Sequence, residues 1–168
     1  WLIRQRDLTI SPEVIGHGGQ ADVLLGTYCR QPVAVKVHRG PTRSGLAAIN
    51  ELRILRHVHH PNIALLHGAY MGAPERGIIL VLELVNGRPL DAFLSMEQTQ
   101  MPAAEHVRAR TEILQGVCYA LIYLHSRKPC IVHADLKPKN VLIEKREMGP
   151  FPKLLDFGLS RMVTRHSR

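Results

Sequence analysis

A short segment at residues 133–140 concentrates side chains that could move a proton, bind a cation and offset negative charge. It reads His-Ala-Asp-Leu-Lys-Pro-Lys-Asn. Pro138 cannot continue a helix, so we expect a rigid loop, and rigid loops on a scaffold are where catalytic groups concentrate. Asp135 could accept a proton from a hydroxyl nucleophile, and the amide oxygen of Asn140 could ligate a hard cation. A plain polar connection is the less favoured interpretation of this order of residue types.

A second acid follows an apolar stretch further along the chain. The residues are Leu155, Asp156, Phe157 and Gly158. Asp156 could ligate Mg²⁺, because hard cations prefer oxygen ligands. Alone, an Asp-Phe-Gly tripeptide is expected by chance in many proteins, so it carries weight only in combination.

A glycine-rich turn lies between two strand-like runs near the start of the chain. Residues 16–23 read GHGGQADV. Glycine lets the backbone come close to a ligand and point N–H groups at phosphate oxygens. Taken alone, an ordinary hairpin turn explains the segment equally well. A strand rather than a helix follows, which argues against a dinucleotide-binding fingerprint.

A lysine ends an otherwise apolar strand run, Val-Ala-Val-Lys at residues 33–36. A buried ammonium is costly without a partner. Glu51, an acid on a mostly apolar helix face fifteen residues later, could be that partner. Judged singly, Lys36 at a solvent-exposed strand end and Glu51 on a solvated helix face are the commoner situations.

The elements that hold these groups change character near residues 86–89. The first forty residues are typical of an antiparallel meander, because β-branched runs are bounded by Gly and Pro. The periodicity then predicts a helix over 46–58, strands over 63–70 and 78–85, helices over 90–94 and 103–125, and short strands at 141–143 and 153–155. The long helix is expected to bury a stripe of four residues: Leu114, Val117, Leu121 and Leu124.

Composition limits the function classes. The 168 residues carry 22 Lys and Arg against 14 Asp and Glu, a net charge of +8. Because the basic residues are dispersed and only 5% are aromatic, a nucleic-acid platform is not expected. The longest apolar run, residues 78–82, is too short for membrane insertion. Three cysteines without a Cys-x-x-Cys pair favour a reducing, cytoplasmic compartment over a disulfide framework. The histidines at 57, 59 and 60 are interpreted as a helix end, not a metal site.

Taken together and in this order, the motifs resemble those of a eukaryotic protein kinase catalytic domain. The resemblance is to serine/threonine kinases, with features of the tyrosine-kinase-like group, and it runs from residue 14 to 159. It implies an α+β, two-lobed fold: a five-stranded antiparallel N-lobe sheet with one helix, plus an incomplete helical C-lobe. The implied N-lobe is 1–85, the hinge 86–89 and the partial C-lobe 90–168, and a larger multidomain protein is the expected context.

The resemblance also implies roles around one ATP with Mg²⁺. Lys36 would hold the α- and β-phosphates and Glu51 would orient it. Asp135 would accept the proton of the substrate hydroxyl, and Lys137 would neutralise the transferring phosphoryl group. The implied metal ligands are Asn140 and Asp156. The implied nucleotide-binding set is Ile15, Gly16, Gly18, Val23, Ala34, Lys36, Leu82, Glu83, Val85 and Leu142, with Leu82 as gatekeeper and the backbones of Glu83 and Val85 on the adenine edge.

The resemblance implies an enzyme that acts on serine or threonine hydroxyls of a protein substrate. Ala134 stands where most of the family has Arg, so control through a phosphorylated activation loop is not expected. Ten residues follow Gly158. Because the rest of the activation segment is missing, we expect the 168-residue piece to be weakly active or inactive. The alternatives are a pseudokinase-like scaffold without turnover and a small-molecule kinase, which Lys137 and Pro138 disfavour.

Overall fold

The computed structural model describes residues 1–18, 21–38, 43–71, 77–100 and 102–163, without the side chains of 43–44, 97–100 and 103–104. These residues form two compact units. The first comprises Trp1–Val58 and Leu65–Leu84, and the second comprises His59–Ala64 and the chain from Val85 onwards. Residues 39–42 and 72–76, which connect the elements expected from the sequence, lie outside the described residues. No helix within the described ranges is long and apolar enough to cross a membrane.

Among its described residues, the first unit contains a five-stranded antiparallel sheet with strand order β1-β2-β3-β5-β4. The strands are β1 Leu8–His17, β2 Ala21–Tyr28, β3 Gln31–His38, β4 Leu66–Met71 and β5 Ile78–Glu83. This sheet, with one helix in the same unit, confirms the expected α+β class. The expected strand over 63–70 is wrong at its start, because β4 begins only at Leu66.

Alternate side chains of the central strand β3 point to the two opposite faces of the sheet. Val33 and Val35 point into an apolar cluster and are completely buried. Successive side chains of a strand point to opposite faces, so Ala34, Lys36 and His38 share the other face. All three are also buried. A continuous buried run of this kind shows that both faces of the sheet are covered at β3.

Helix α1, Arg43–Leu55, packs against strands β3, β4 and β5. Its buried residues are Ala48, Glu51, Leu52, Ile54 and Leu55. The helix ends three residues earlier than expected, and the N–H of Val58 bonds to the carbonyl of Leu55 at 3.1 Å. That spacing of three residues is a tightened last turn, which apolar periodicity alone does not distinguish from α-helix.

The second unit holds two α-helices, a single-turn 3-10 helix at Pro138–Asn140 and two small sheets within its described residues. Strands β6, β8 and β9 form one sheet in that order, and β7 pairs with β10. The bounds are β6 Gly87–Pro89, α2 Leu90–Gln100, α3 Ala103–Ser126, β7 Cys130–Val132, β8 Val141–Arg146, β9 Gly149–Leu154 and β10 Arg161–Val163. Residues 87–89, expected as linker, therefore pair in a sheet, and α2 is longer than the expected 90–94.

Helix α3 buries the expected stripe only in part. Leu124 is buried as expected and two other members are partly buried, but Leu114 is 64% exposed. The smaller or unexpected residues Ile113, Gly116 and Ala120 are buried in addition. A Cβ on Gly116 would lie 2.5 Å from Cγ of Pro152. Strand β9 thus approaches the helix where its side chains are smallest. The periodic pattern selected the largest apolar residues, but close packing against β9 requires the small ones.

Residues His59–Ala64 join the second unit through β9. The backbone of Leu154 bonds on both sides: its N–H donates to Asn62 at 2.8 Å and its carbonyl accepts from Ala64 at 3.0 Å. The buried side chain of Asn62 donates to the carbonyl of Pro152 at 2.9 Å. These bonds explain why the segment does not extend β4.

The histidines of this segment contact α3. The N–H of His59 donates to the hydroxyl of Tyr123 at 2.9 Å, and the ring of His60 lies 5.2 Å from the Tyr123 ring. The N–H of Asn62 donates to Nδ1 of His60 at 3.1 Å. Burial lowers the pKa of His60. Within the described part of the chain, no group of three or more His, Cys, Asp or Glu could hold a metal ion.

Candidate active site

Lys36 and Glu51 form a buried ion pair in the first unit. Nζ of Lys36 lies 3.0 Å from Oε1 and 2.7 Å from Oε2 of Glu51. Glu51 is 0% exposed and Lys36 8% exposed. Neither group is therefore a solvated surface charge. Removing two charges from water is tolerated only with close geometry of this kind, because either ion alone would be left uncompensated.

The same carboxylate has a second neighbour that the sequence analysis did not single out. Nε2 of His38 lies 3.8 Å from Oε2 of Glu51, and both side chains are buried. The signal in the sequence is the spacing of two between Lys36 and His38, which places both on one face of β3. The spacing alone does not indicate a role for His38. The contact with Glu51 can be recognised only once the position of helix α1 is known.

The glycine-rich turn connects β1 and β2, with Gly16 opposite Val23 in the register. The N–H of Gly18 donates to the carbonyl of Ala21 at 2.8 Å. A Cβ on Gly18 would lie 3.1 Å from that carbonyl oxygen, so a side chain here would crowd the turn. Nδ1 of His17 lies 2.9 Å from Oδ1 of Asp22. Gly19 and Gln20, also part of the expected loop, lie outside the described residues.

In the second unit, the loop after β7 is organised around the carboxylate of Asp135. Its Oδ2 accepts from Nζ of Lys137 at 2.6 Å and from Nδ2 of Asn140 at 2.9 Å. The same amide donates to the backbone carbonyl of Asp135 at 2.9 Å. Three of the expected catalytic and metal-binding side chains thus meet within eight residues. The carboxylate stays partly accessible, with 24% of its side-chain surface exposed.

His133 supports this loop from below and is 2% exposed. The N–H of Asp135 donates to its Nδ1 at 3.3 Å, so the proton resides on Nε2, which donates to the carbonyl of Leu155 at 3.0 Å. Burial lowers the pKa of His133, which favours this neutral form. Its ring packs 4.8 Å from that of Phe157. Backbone hydrogen bonds and ring packing therefore fix the position of His133 beneath the loop.

Two residues of this region have left-handed backbone conformations. Ala134 has φ of 62° and Asp156 has φ of 60°. Non-glycine residues rarely adopt this region, and doing so costs on the order of 1 kcal/mol or more. The surrounding hydrogen bonds hold both in place. Ala134 directly precedes Asp135, and Asp156 is itself the second expected acid, so both left-handed residues lie at or next to an expected functional acid.

The residues after Asp156 fold back onto the loop. The N–H of Gly158 donates to Oδ1 of Asp156 at 3.3 Å, and the hydroxyl of Ser160 donates to the carbonyl of His133 at 2.8 Å. Ser160 is 2% exposed and was missed by the sequence analysis. A single serine after a glycine gives no pattern by which it could be found.

The donor set of this region suits a hard cation. Because the amide nitrogen of Asn140 is committed to Asp135, its oxygen is oriented as an acceptor. Asp156 adds carboxylate oxygens. Mg²⁺ is usually held by one or two protein oxygens together with waters and substrate phosphates. Asn140 and Asp156 therefore fit the ion that the sequence motifs imply.

The expected adenine-binding residues belong to both units, most of them on strands and Val85 between β5 and β6. In the first unit, Ala34 is opposite Leu82 in the register of β3 and β5. The N–H of Glu83 donates to the carbonyl of Leu65 at 2.8 Å. In the second unit, Leu142 is opposite Lys153 on β9 and Val85 is buried. Ile15, on β1, is 42% exposed.

Comparison with known proteins identifies a family model and several relatives that match most of the chain. The family model described as "Protein kinase domain" matches residues 10–168. The chain is 37% identical over 156 residues to serine/threonine-protein kinase D3 of Homo sapiens, which covers 90% of this chain. It is 36% identical over 157 residues to U-box domain-containing protein 34 of Arabidopsis thaliana, and 34% identical over 160 residues to serine/threonine-protein kinase D2 of Rattus norvegicus. Each covers 92% of the chain.

The chain spans a small part of these relatives. It covers 17% of kinase D3 and of kinase D2, and 18% of the U-box protein. The shared part is the region that carries the glycine-rich turn, the buried lysine and the Asp135 loop.

Proposed function

Because the chain belongs to the protein kinase family, we propose that the full-length protein transfers the γ-phosphoryl group of ATP to serine or threonine hydroxyls of protein substrates. The observation that carries this proposal is the arrangement at Asp135, whose carboxylate is bound by Lys137 and Asn140 within one short loop. The similarity to two serine/threonine-protein kinases supports the choice of acceptor. Three cysteines without disulfides among the described residues suit a reducing, intracellular setting.

Asp135 is proposed to orient the acceptor hydroxyl and take its proton. A carboxylate that accepts hydrogen bonds from two fixed donors has a defined direction, and a positioned base is worth about 10²–10⁴ in rate. Lys137 is 50% exposed, so its ammonium can reach beyond Asp135 to an incoming anion. Phosphoryl transfer depends mainly on positioning and charge compensation, and both groups serve these ends.

Lys36 is proposed to hold the α- and β-phosphates, with Glu51 fixing its direction. An ammonium buried beside a carboxylate keeps its rotamer, which lowers the entropy lost on binding a phosphate. Asn140 and Asp156 would hold Mg²⁺, which supplies positive charge to the phosphates. Gly16 and Gly18 would allow the backbone of the glycine-rich turn to approach them.

The adenine is proposed to contact apolar side chains. Val23, Ala34, Leu82 and Leu142 would form its walls, and Ile15 would cover its edge. The N–H of Glu83 already donates to the carbonyl of Leu65. In a hydrogen bond with the adenine, the carbonyl oxygen of Glu83 would therefore be the acceptor. Val85 would supply the neighbouring backbone contact.

The decisive experiment measures phosphate transfer from radiolabelled ATP to serine- or threonine-containing peptides by the full-length protein. Asp135→Asn should reduce kcat by about 10²–10⁴. Asp91→Asn, an exposed acid on α2, is the matched control and should leave kcat unchanged. Transfer that survives in Asp135→Asn at the wild-type rate would refute the assignment.

Binding is measured separately, so that a scaffold without turnover can be recognised. ATP with Mg²⁺ at about 100 times its Kd should add about 2.7 kcal/mol to the free energy of unfolding. Lys36→Met should abolish this gain, and Lys139→Met, an exposed lysine, should keep it. Binding without any transfer by the wild-type protein would favour the pseudokinase-like scaffold.

A further inference from the structure

Strand β3 presents two nitrogen-bearing side chains to a single buried acid. Lys36 and His38 are two residues apart, so they share the face of the sheet against which α1 packs. Oε2 of Glu51 accepts from Nζ of Lys36 at 2.7 Å and lies 3.8 Å from Nε2 of His38. The acid is therefore approached by two groups from the same strand.

Burial strengthens the electrostatic interaction between Glu51 and His38. The side chains of Glu51 and His38 are 0% and 4% exposed, so their interaction is poorly screened by water. A carboxylate offers about four acceptor positions, and Lys36 makes two hydrogen bonds to it. A second donor can thus be accommodated without displacing the lysine.

The charged side chains that face His38 determine which electrostatic interactions its imidazole can make. Among the described residues, Lys36 on the same strand and Glu51 on α1 share its face. Asp22 is opposite Val37 in the register of β2 and β3, which places it on the other face, beside His17. Within that part of the chain, Glu51 is the acid that His38 faces.

We propose that His38 is a positioning residue that holds the carboxylate of Glu51 beside Lys36. The role rests on the proposed function, in which the ammonium of Lys36 is shared between Glu51 and the phosphates. While the ammonium is shared, the imidazole keeps the carboxylate against β3, so Lys36 retains its direction. His38 touches neither the nucleotide nor the acceptor.

The kinetic test uses the full-length protein. His38→Leu should raise KM for ATP about threefold to tenfold and leave KM for the peptide unchanged. His38→Gln, whose amide nitrogen can occupy the place of Nε2, should recover most of the loss. His67→Leu, an exposed histidine on β4, is the control and should remain at the wild-type KM. Equal KM for ATP in His38→Leu and His67→Leu would overturn the proposal; if His38→Leu does not fold, His38→Gln and the exchange experiment below decide.

A second measurement tests the interaction between His38 and Glu51 and does not require an activity assay. Hydrogen–deuterium exchange at the imidazole C2 position, followed by mass spectrometry, titrates each histidine in the full-length protein. The midpoint for His38 should fall in Glu51→Gln relative to the wild type, because the carboxylate 3.8 Å from Nε2 that favours the imidazolium is gone. An unchanged midpoint would overturn the proposal. Absence of phosphate transfer in the wild type would instead refute the proposed function, and the exchange result would still decide whether His38 and Glu51 interact.

Discussion

At the scale of single residues, the loop at 133–140 shows how neighbouring groups divide their work. Oδ2 of Asp135 receives two donors, and its backbone N–H is anchored on His133. The anchor depends on a neutral imidazole, because an imidazolium has no acceptor nitrogen. The direction of the carboxylate is thus coupled to a histidine that takes no part in the proposed chemistry.

Lys137→Met tests the charge contribution of this loop. The substitution removes an ammonium that is half exposed and 2.6 Å from Asp135, while the methionine keeps a similar shape. In the full-length protein we expect kcat for peptide phosphorylation to fall on the order of 10²-fold. Lys139→Met, two residues further on and exposed, should keep the wild-type kcat. Equal rates for the two variants would contradict the role of Lys137.

His60 gives the stability of the second unit a defined pH dependence. Its folded pKa is lowered by burial, so the unfolded chain takes up a proton at a higher pH than the folded chain. Stability from this group is present above the ordinary histidine pKa of about 6.5 and is lost as pH falls through the folded pKa. Burial lowers the pKa of His133 too, and its contribution has the same sign.

We therefore expect the free energy of unfolding, measured by denaturant titration, to fall as pH decreases from 7.5 to 5. His60→Phe keeps a ring beside Tyr123 and removes the titration, so its dependence on pH should be shallower. His125→Phe, an exposed histidine of α3, should keep the wild-type slope. A wild-type stability that is constant over this range would contradict the assignment.

At the scale of elements, sheet and helix packing depend on close approaches at small residues. Gly26 lies in β2, where a Cβ would be 2.5 Å from Cγ2 of Val35 and 2.9 Å from the carbonyl of Thr9. Neither neighbour is the flexible end of a long side chain. Helix α1, in contrast, leaves open space around Gly45: among the described residues, no atom outside the local helix backbone lies within 4 Å of the point where a Cβ would be.

Two alanine substitutions should consequently have opposite signs. Gly26→Ala overpacks the sheet and should lower the free energy of unfolding by about 1–3 kcal/mol. Gly45→Ala lies in a helix without contacts and should raise it by about 0.5–1 kcal/mol, because alanine loses less backbone entropy. Thermal and denaturant unfolding of the two variants against wild type measure the difference. Stabilisation by Gly26→Ala would show that the sheet can expand there.

The strands and helices also show how much of the fold could be predicted from the sequence. The strands of the first unit follow from β-branched runs bounded by Gly and Pro, and the pairing of Lys36 with Glu51 was suggested by the cost of a buried charge. The buried stripe of α3 followed only in part, because it also uses Gly116 and Ala120, which carry little hydrophobic signal. His38 and Ser160 depend on tertiary contacts with residues 13 and 27 positions away, which local pattern cannot reveal.

At the scale of the whole molecule, α3 exposes an apolar stripe on the side opposite its buried one. Val107, Leu114 and Ile122 are 67%, 64% and 64% exposed, and their spacing of seven and eight keeps them on one face. Exposed apolar stripes of this kind promote association.

Charge placed on this stripe should suppress association. We expect the 168-residue chain to bind a hydrophobic fluorescent dye and to self-associate in sedimentation experiments. The double variant Leu114→Glu and Ile122→Glu should reduce both. The double variant Met71→Glu and Met148→Glu, at positions that are 55% and 89% exposed and lie outside α3, adds the same charge elsewhere and should reduce neither. Equal suppression by this control would attribute the effect to net charge alone.

The path of the chain between its two units has a practical consequence for recombination with relatives. The backbone passes from one unit to the other after Val58, after Ala64 and again after Leu84. A hybrid gene joined once, near residue 85, would take the hexapeptide at 59–64 from one parent and β9 from the other. The bonds from Asn62 to Pro152 and Leu154 would then join unmatched partners. Hybrids that inherit this hexapeptide and β9 from a single parent should be the ones recovered in soluble form.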